Sequence, residues 1–153
     1  MAFKVKTYIE YQINRNDEEK TVSAYSPFPF TFEGTITMLE NGDLRFYGEV
    51  KNYVYWVFSL YLSPNEENGK RDVTLFYKRE EDEFSVCFIE GEPCYYEFIE
   101  DNIRQVGTME AIEIIDNVGE EGGSMRISAK ANRLFEQSGH VEVKISFIPA
   151  FDA

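Results

Sequence analysis

The 153-residue sequence predicts a single all-β domain, residues 1–153, built as an antiparallel barrel or a sandwich. Apolar and polar residues alternate with period two along nearly the whole chain, and a sustained helical period is almost absent. The alternating segments number about ten and are separated by short turns rich in glycine, asparagine and acidic residues. Both terminal segments are strand-like, so the first and last strands can pair and remove the exposed edges of a barrel.

The first two strands are predicted on either side of a polar turn. In "FKVKTYIEY" (3–11) one face is apolar or β-branched and the other is mostly polar, which is typical of a half-buried strand. "NRNDEE" (14–19) is the turn. "KTVSAYS" (20–26) can form a second strand before Pro27 and Pro29 interrupt the hydrogen-bonded ladder.

A hairpin is predicted at "TITMLENGDLRFYGEV" (35–50). Asn-Gly between strand-like residues favours a two-residue type I′ turn, because both residues tolerate a positive φ angle. Asn41 and Gly42 therefore form the predicted tip. This register pairs Leu39 with Leu44 and Ile36 with Tyr47.

The longest apolar run, "YVYWVFSLYL" (53–62), predicts a central strand and is about half as long as a transmembrane helix. One face of this strand is uninterrupted and apolar: Val54, Trp56, Phe58, Leu60 and Leu62. The opposite face carries Tyr53, Tyr55, Ser59 and Tyr61. We expect the apolar face to border a core or a cavity.

The remaining strands are predicted at "DVTLFYKR" (72–79), "FSVCFIE" (84–90), "CYYEFIE" (94–100), "TMEAIEII" (108–115), "MRISAKAN" (125–132) and "HVEVKISFIP" (140–149). The segment 101–114 also admits a helix, because Ile103, Val106 and Ile112 approximate helical spacing. Gly107 and the alternation that follows it favour the strand.

The two cysteines fall in a predicted hairpin, "FIEGEPCYYEF" (88–98), with Gly91 and Glu92 at its tip. The resulting pairs are Glu90 with Pro93, Ile89 with Cys94 and Cys87 with Tyr96. Under this register the two cysteines share a face but lie diagonally, about 7 to 8 Å apart, which is too far for a disulfide. We therefore expect two reduced, half-buried thiols.

Charge limits the possible partners. A formal net charge of -13 opposes binding to phosphate backbones and to anionic membrane surfaces. The segment "MAFKVKTYIEYQI" lacks the continuous apolar stretch and small-residue cleavage site of a signal peptide. We expect a cytoplasmic protein that binds neither nucleic acid nor membrane.

No motif predicts catalysis, so we expect no enzyme, no cofactor and no metal site. Zinc needs more ligands than Cys87, Cys94 and the single histidine, His140, which lies in a different predicted turn. The acidic clusters fall in predicted turns and lack the ligand spacing of an EF-hand. Neither a nucleophile elbow nor a phosphate-binding glycine loop is present.

A family resemblance covers residues 72–148. Its features are Phe88 and Gly91 in an F-x-E-G turn, Tyr96 after it, Gly107 at the start of the next strand, and a Glu-Glu-Gly-Gly turn at 120–123. On these residues the chain resembles the YwiB-like bacterial family, a calycin-type β-barrel domain of unknown function. The resemblance implies an antiparallel up-and-down, lipocalin-like barrel of about 8–10 strands, and it implies no particular activity.

The first functional hypothesis is a non-enzymatic barrel that binds a small apolar ligand in its interior. The candidate lining residues are Trp56, Phe58, Leu60, Phe76 and Phe88. Tyrosine hydroxyls at the mouth would orient the ligand. The same aromatic side chains can instead fill the interior completely, which is equally typical of small barrels.

The alternative is an acidic protein-interaction or inhibitory module that engages a basic partner protein or associates with itself as a homodimer. The candidate interface residues are Tyr53, Tyr55 and Tyr61, on the face of the central strand opposite Trp56. Tyrosine suits an interface because it combines a large apolar ring with a polar hydroxyl.

Overall fold

The computed structural model describes the backbone of residues 2–15, 32–50, 53–134 and 137–149, and within them the side chains of residues 32–49, 57–78, 80–131 and 139–148. In these ranges every secondary-structure element is a β-strand, which confirms the all-β prediction. The strands are β1 Ala2–Arg15, β2 Phe32–Met38, β3 Leu44–Val50, β4 Tyr53–Pro64, β5 Arg71–Arg79, β6 Asp82–Phe88, β7 Pro93–Glu100, β8 Ile103–Gly119, β9 Gly122–Leu134 and β10 Gln137–Pro149. The strand predicted at 20–26 lies outside the described residues.

Strand pairing is antiparallel throughout the described sheet, as predicted. Each strand pairs with the next along the chain, and β1 pairs with both β2 and β10. The sheet curls around an apolar core. Its finer assignment to a closed barrel of the calycin type stays a prediction. In the described ranges no helix is long and apolar enough to cross a membrane.

The residues on the inward face form three rows across neighbouring strands, because alternate residues of a strand lie on the same face. The glycine–aromatic row contains Gly34, Gly48, Phe58, Tyr77, Phe84 and Phe98. The middle row contains Ile36, Phe46, Leu60, Leu75, Val86 and Tyr96. The third row contains Met38, Leu44, Leu62, Val73 and Phe88.

The β2–β3 hairpin exists, but its predicted turn and register are wrong. The backbone N–H of Gly42 donates to the carbonyl of Leu39 at 3.0 Å, and the N–H of Leu39 donates to the carbonyl of Asp43 at 2.8 Å. Gly42 has φ +89°. The loop therefore has three residues, 40–42, with glycine in the bulge position, rather than a two-residue type I′ turn. Ile36 consequently pairs with Phe46 and not with Tyr47.

Asp43, at the start of this hairpin's second strand, is a buried carboxylate with several hydrogen-bond donors. The Tyr61 hydroxyl donates to Oδ2, Asn41 Nδ2 donates to Oδ2 at 2.9 Å, and the Ser63 hydroxyl donates to Oδ1 at 3.2 Å. Asn41 also accepts from the Asp43 backbone N–H at 3.0 Å. The Tyr61 hydroxyl is the main cause that holds the pKa of Asp43 below its usual range.

We predict that Tyr61→Phe weakens the pH dependence of stability in acid. Because the pKa of Asp43 is lowered in the folded chain, its stabilising contribution is present above the ordinary carboxyl pKa of about 4 and is lost as the pH falls through the folded value. Removing the Tyr61 hydroxyl should raise that pKa and reduce the difference in urea midpoint between neutral pH and about pH 3. Tyr47→Phe is the control, since its hydroxyl contacts the exposed Glu49. If the pH dependence of stability is unchanged in Tyr61→Phe, the Tyr61 hydroxyl is not the main cause of the lowered pKa of Asp43.

The β6–β7 hairpin also differs from its predicted register. The N–H of Glu92 donates to the carbonyl of Ile89 at 3.0 Å, so Glu90 and Gly91 form the tip, one residue earlier than predicted. Further along the strands Val86, rather than Cys87, pairs with Tyr96. Both cysteines are free and half-buried, but a side-chain hydrogen bond joins them, so they are not the separated diagonal pair of the predicted register. Burial, followed by the neighbouring Cys87, raises the pKa of Cys94.

A bulge in β8 is held by this hairpin tip. The β8–β9 register shifts between Ala111 and Glu113, which leaves Ile112 as the extra residue. The Glu90 carboxylate accepts the backbone N–H of Ile114 at 2.8 Å, and the N–H of Gly91 donates to the carbonyl of Ala111 at 2.8 Å. The bulge is therefore supported from the β7 side by groups that lie outside the β8–β9 pair.

A second contact joins β5 to β8 beyond the end of the short β6–β7 hairpin. Arg71 donates to both carboxylate oxygens of Asp116, at 2.7 and 2.6 Å, and to the carbonyl of Val118 at 2.5 Å. Two parallel N–H···O bonds fix both the direction and the distance of such a pair. We call this contact the β5–β8 clamp.

Candidate functional site

Four aromatic side chains form what we call the aromatic wall: Tyr77, Phe84, Tyr96 and Phe98. The ring centroids of Phe84 and Phe98 are 6.0 Å apart with an edge-on geometry, and those of Phe84 and Tyr96 are 6.4 Å apart. Tyr96 is buried, whereas the other three rings are half-buried. The wall therefore begins in the core and becomes accessible towards the turns at 80–81 and 101–102.

Next to the aromatic wall, the interior surface of β8 to β10 carries very small residues. Gly107 lies directly opposite Tyr96, and Ala131 pairs with Met109 on one side and Gly139 on the other. Ala129 continues this surface, which we call the small-residue wall, and its four members Gly107, Ala129, Ala131 and Gly139 are all buried. These small side chains contribute little volume to the interior beside the large rings.

The electrostatics of this region are those of an apolar site. Among the described residues Asp43 is the one buried charged side chain, and it lies at the β2–β3 hairpin. Within the aromatic wall, burial raises the pKa of Tyr96, so its hydroxyl stays protonated at neutral pH. The region offers aromatic and aliphatic contact together with the phenol groups of Tyr77 and Tyr96. In the described ranges no group of three or more potential metal ligands occurs.

Three of the five predicted lining residues face the interior. Phe58, Leu60 and Phe88 are at most 1% exposed. The Phe58 ring packs against Phe32 and Phe46, with centroids 5.6 and 5.9 Å apart. This part of the interior is therefore filled by the protein's own rings.

The other two predicted lining residues, Phe76 and Trp56, are not among the described inward-facing side chains. Phe76 is half-buried and pairs with Ser59 and Ser85, on the face opposite its buried neighbour Leu75. Its predicted lining position is wrong, because odd-numbered residues of β5 point inward. The side chain of Trp56 lies outside the described residues, so its lining role stays a prediction.

The predicted interface tyrosines do not come together as a described surface. The side chains of Tyr53 and Tyr55 lie outside the described residues. Tyr61 is half-buried, donates its hydroxyl to Asp43, and has the Arg45 guanidinium 5.6 Å from its ring centroid. Its polar and aromatic groups therefore already have partners within the chain.

The sequence reasoning missed the aromatic wall and the small-residue wall. The inward position of Tyr77 could have been predicted from the alternation in "DVTLFYKR", which places Tyr77 on the same face as Val73 and Leu75. The choice of Phe76 followed side-chain type rather than the face that its neighbours define. Ala129 and Ala131 alternate with polar residues in "ISAKAN", and this signal indicates an inward face of low volume.

A separate polar cavity of about 300 Å³ lies beside the β5–β8 clamp. Its lining residues are Gly69, Lys70, Arg71, Ile114 and Asp116. Both cations are paired: Arg71 contacts Asp116, and Lys70 donates to the Glu90 carboxylate at 2.5 and 2.7 Å. Because its charged side chains are already paired, and because Glu90 also holds the backbone of the β8 bulge, we interpret this cavity as structural and not as a ligand site.

Comparisons with known proteins leave the family open. No family model matches the chain, and no curated protein sequence matches it. Among solved structures, the chain is similar to the ywiB protein from Bacillus subtilis, with 12% sequence identity and a TM-score of 0.44. That likeness covers 98% of this chain and 94% of the other. Similarity at this level establishes neither a shared family nor a shared function.

Proposed function

We propose that the chain is a closed, calycin-type barrel that binds a small apolar ligand and performs no catalysis. The pairing of β1 with both β2 and β10 supports closure, since it leaves neither end of the strand order unpaired. Barrels of this size hold one small ligand or fill their interior with side chains. The ligand would lie between the aromatic wall and the small-residue wall.

The observation that carries the proposal is the contrast between these walls. Three aromatic rings are accessible at one end of the interior, and four buried glycine and alanine residues lie on the neighbouring strands beside Met109 and Val141. Closer to the middle of the sheet, by contrast, Phe46 and Phe58 are buried among other rings. Apolar surface that the chain itself leaves half-covered is the usual lining of a ligand site.

The charge of the protein disfavours an anionic ligand. A formal net charge of -13 repels anions, which disfavours a carboxylate-bearing lipid. No buried cation is present among the described side chains, so an anionic group would find no partner in the interior. Near the walls the described residues also offer no paired acid and base of the kind that catalysis requires, which supports a binding role.

We predict that Ala131→Leu abolishes binding of an uncharged naphthylamine fluorophore. The fluorophore should show a saturable increase in emission with the unmodified protein, because its apolar rings enter the interior. The larger side chain of Ala131→Leu would occupy the same volume. Lys130→Leu introduces the same side chain on the adjacent, exposed position and should leave the titration unchanged.

Stability measurements and native mass spectrometry complete this test. If the space is free, Ala131→Leu should unfold at nearly the urea concentration of the parent. A loss of about 1–3 kcal/mol would indicate overpacking of a filled interior and would contradict the proposal. Protein isolated gently from its own host should also carry an excess mass that disappears on denaturation. The bare chain mass together with no saturable fluorescence would overturn the proposed function.

A further inference from the structure

The outer face of β7 and β8 exposes large apolar side chains that the proposed ligand site does not use. Tyr95 is 78% exposed, Ile112 59%, Val106 43% and Ile115 42%. Together these four residues, which we call the β7–β8 strip, are more than half of the seven exposed large hydrophobic residues in the described ranges. Isolated exposed hydrophobic residues are ordinary, but clustering on two adjacent strands is typical of an interaction surface.

The bulge explains why Ile112 belongs to this strip. Ile112 has no pairing partner on β9, because the register shifts at this residue. Its neighbours Ala111 and Ile114 are buried and are tied to the hairpin tip through Gly91 and Glu90. The surrounding backbone is therefore fixed while the isoleucine side chain points into water. A rigidly held apolar side chain loses little conformational entropy when a partner covers it.

Exposed carboxylates lie between and beside the residues of the β7–β8 strip. Glu92, Glu110 and Glu113 are exposed, and none of them forms an ion pair with a described residue. The nearby Arg126 is already paired with Glu142, and Lys130 lies across from Glu110 in the register without forming an ion pair. The strip is therefore apolar with unpaired negative charge around it.

We propose that the β7–β8 strip docks a basic partner polypeptide whose lysine or arginine residues alternate with apolar side chains. Tyr95 would be its principal anchor, since exposed tyrosines contribute strongly to interfaces when a partner covers them. A second copy of this chain is disfavoured, because two chains of net charge -13 repel each other and each would add the same three carboxylates to the contact. This inference is independent of the interior ligand site.

Synthetic peptides test the chemistry of the partner. Binding of three labelled peptides would be measured by fluorescence anisotropy: one alternating lysine and isoleucine, one alternating lysine and serine, and one alternating glutamate and isoleucine. The lysine–isoleucine peptide should bind at least about tenfold more tightly than either of the others, because it alone matches both the charge and the apolar groups. Equal binding of the lysine–serine peptide would show a general attraction to an acidic protein and would overturn the proposal.

Substitutions test the position of the surface. Tyr95→Ser and Ile112→Ser should each weaken binding of the lysine–isoleucine peptide by about tenfold. Tyr47→Ser is the matched control, since Tyr47 is 49% exposed on β3 and should leave affinity unchanged. Circular dichroism would verify that each variant is folded. Unaltered affinity in both strip variants, or a native-mass dimer that Tyr95→Ser dissociates, would refute docking of a basic partner at this surface.

Discussion

Gly34→Ala should prevent stable folding, or lower the free energy of unfolding by at least about 3 kcal/mol. A Cβ atom at Gly34 would lie 1.9 Å from the carbonyl oxygen of Tyr47 and 2.6 Å from the Cα of Gly48. Both obstacles are backbone atoms of the paired strand β3, so no side-chain rotation relieves the overlap. The two strands would have to separate at the Gly34–Gly48 pair.

The measurement is urea unfolding followed by tryptophan fluorescence and circular dichroism. Gly119→Ala is the matched control, because a Cβ there would meet nothing within 4 Å. We expect the control to keep the parent midpoint within experimental error. A Gly34→Ala midpoint equal to that of Gly119→Ala would show that β2 and β3 do not pack as closely as described.

Phe46→Ala should destabilise the chain by about 3–5 kcal/mol, the range for deletion of a buried aromatic ring. Phe46 is fully buried, and its ring centroid lies 5.9 Å from that of Phe58 and 5.0 Å from that of Phe147. The adjacent Tyr47 is half exposed on the outer face, so Tyr47→Ala should cost less than about 1 kcal/mol. Equal losses would contradict the assignment of the two faces.

The same ring should also be energetically coupled to Gly48. A Cβ at Gly48 would lie 2.6 Å from the Cζ atom of Phe46, so Gly48→Ala alone is expected to displace the ring. In a Phe46→Ala background this obstacle is gone, although the Cβ of Phe32 remains at 3.2 Å. A double-mutant cycle should therefore give a coupling of about 0.5–3 kcal/mol, and additive losses would exclude the contact.

The strands were predictable because alternation is a local property of the sequence, and the registers were not. At the β2–β3 hairpin, Asn-Gly correctly indicated a turn, but the loop contains Glu40 as well. One additional residue changes which side chains lie opposite each other, and so Phe46 rather than Tyr47 pairs with Ile36. Turn length depends on how the flanking strands twist and pack, which a single sequence pattern does not specify.

The candidate site was predictable only in part, for related reasons. Alternation correctly placed Phe58, Leu60 and Phe88 on the inward face. It could not show that Phe58 is covered by Phe32 and Phe46, since those contacts join different strands. The exposure of Ile112 could not be predicted from the sequence either, because it depends on the bulge in β8. That bulge is supported by the bond between Glu90 and the N–H of Ile114, which are 24 residues apart.

The β5–β8 clamp links the folding of the two halves of the chain. Arg71 and Asp116 are separated by 45 positions, and the intervening chain forms the rest of β5, then β6, β7 and most of β8. Ordering so long a loop costs conformational entropy before the ion pair forms. We therefore expect the clamp to close after these strands have assembled. Since interactions completed late in folding mainly slow unfolding, the expected effect of this ion pair is on the unfolding rate of the native sheet.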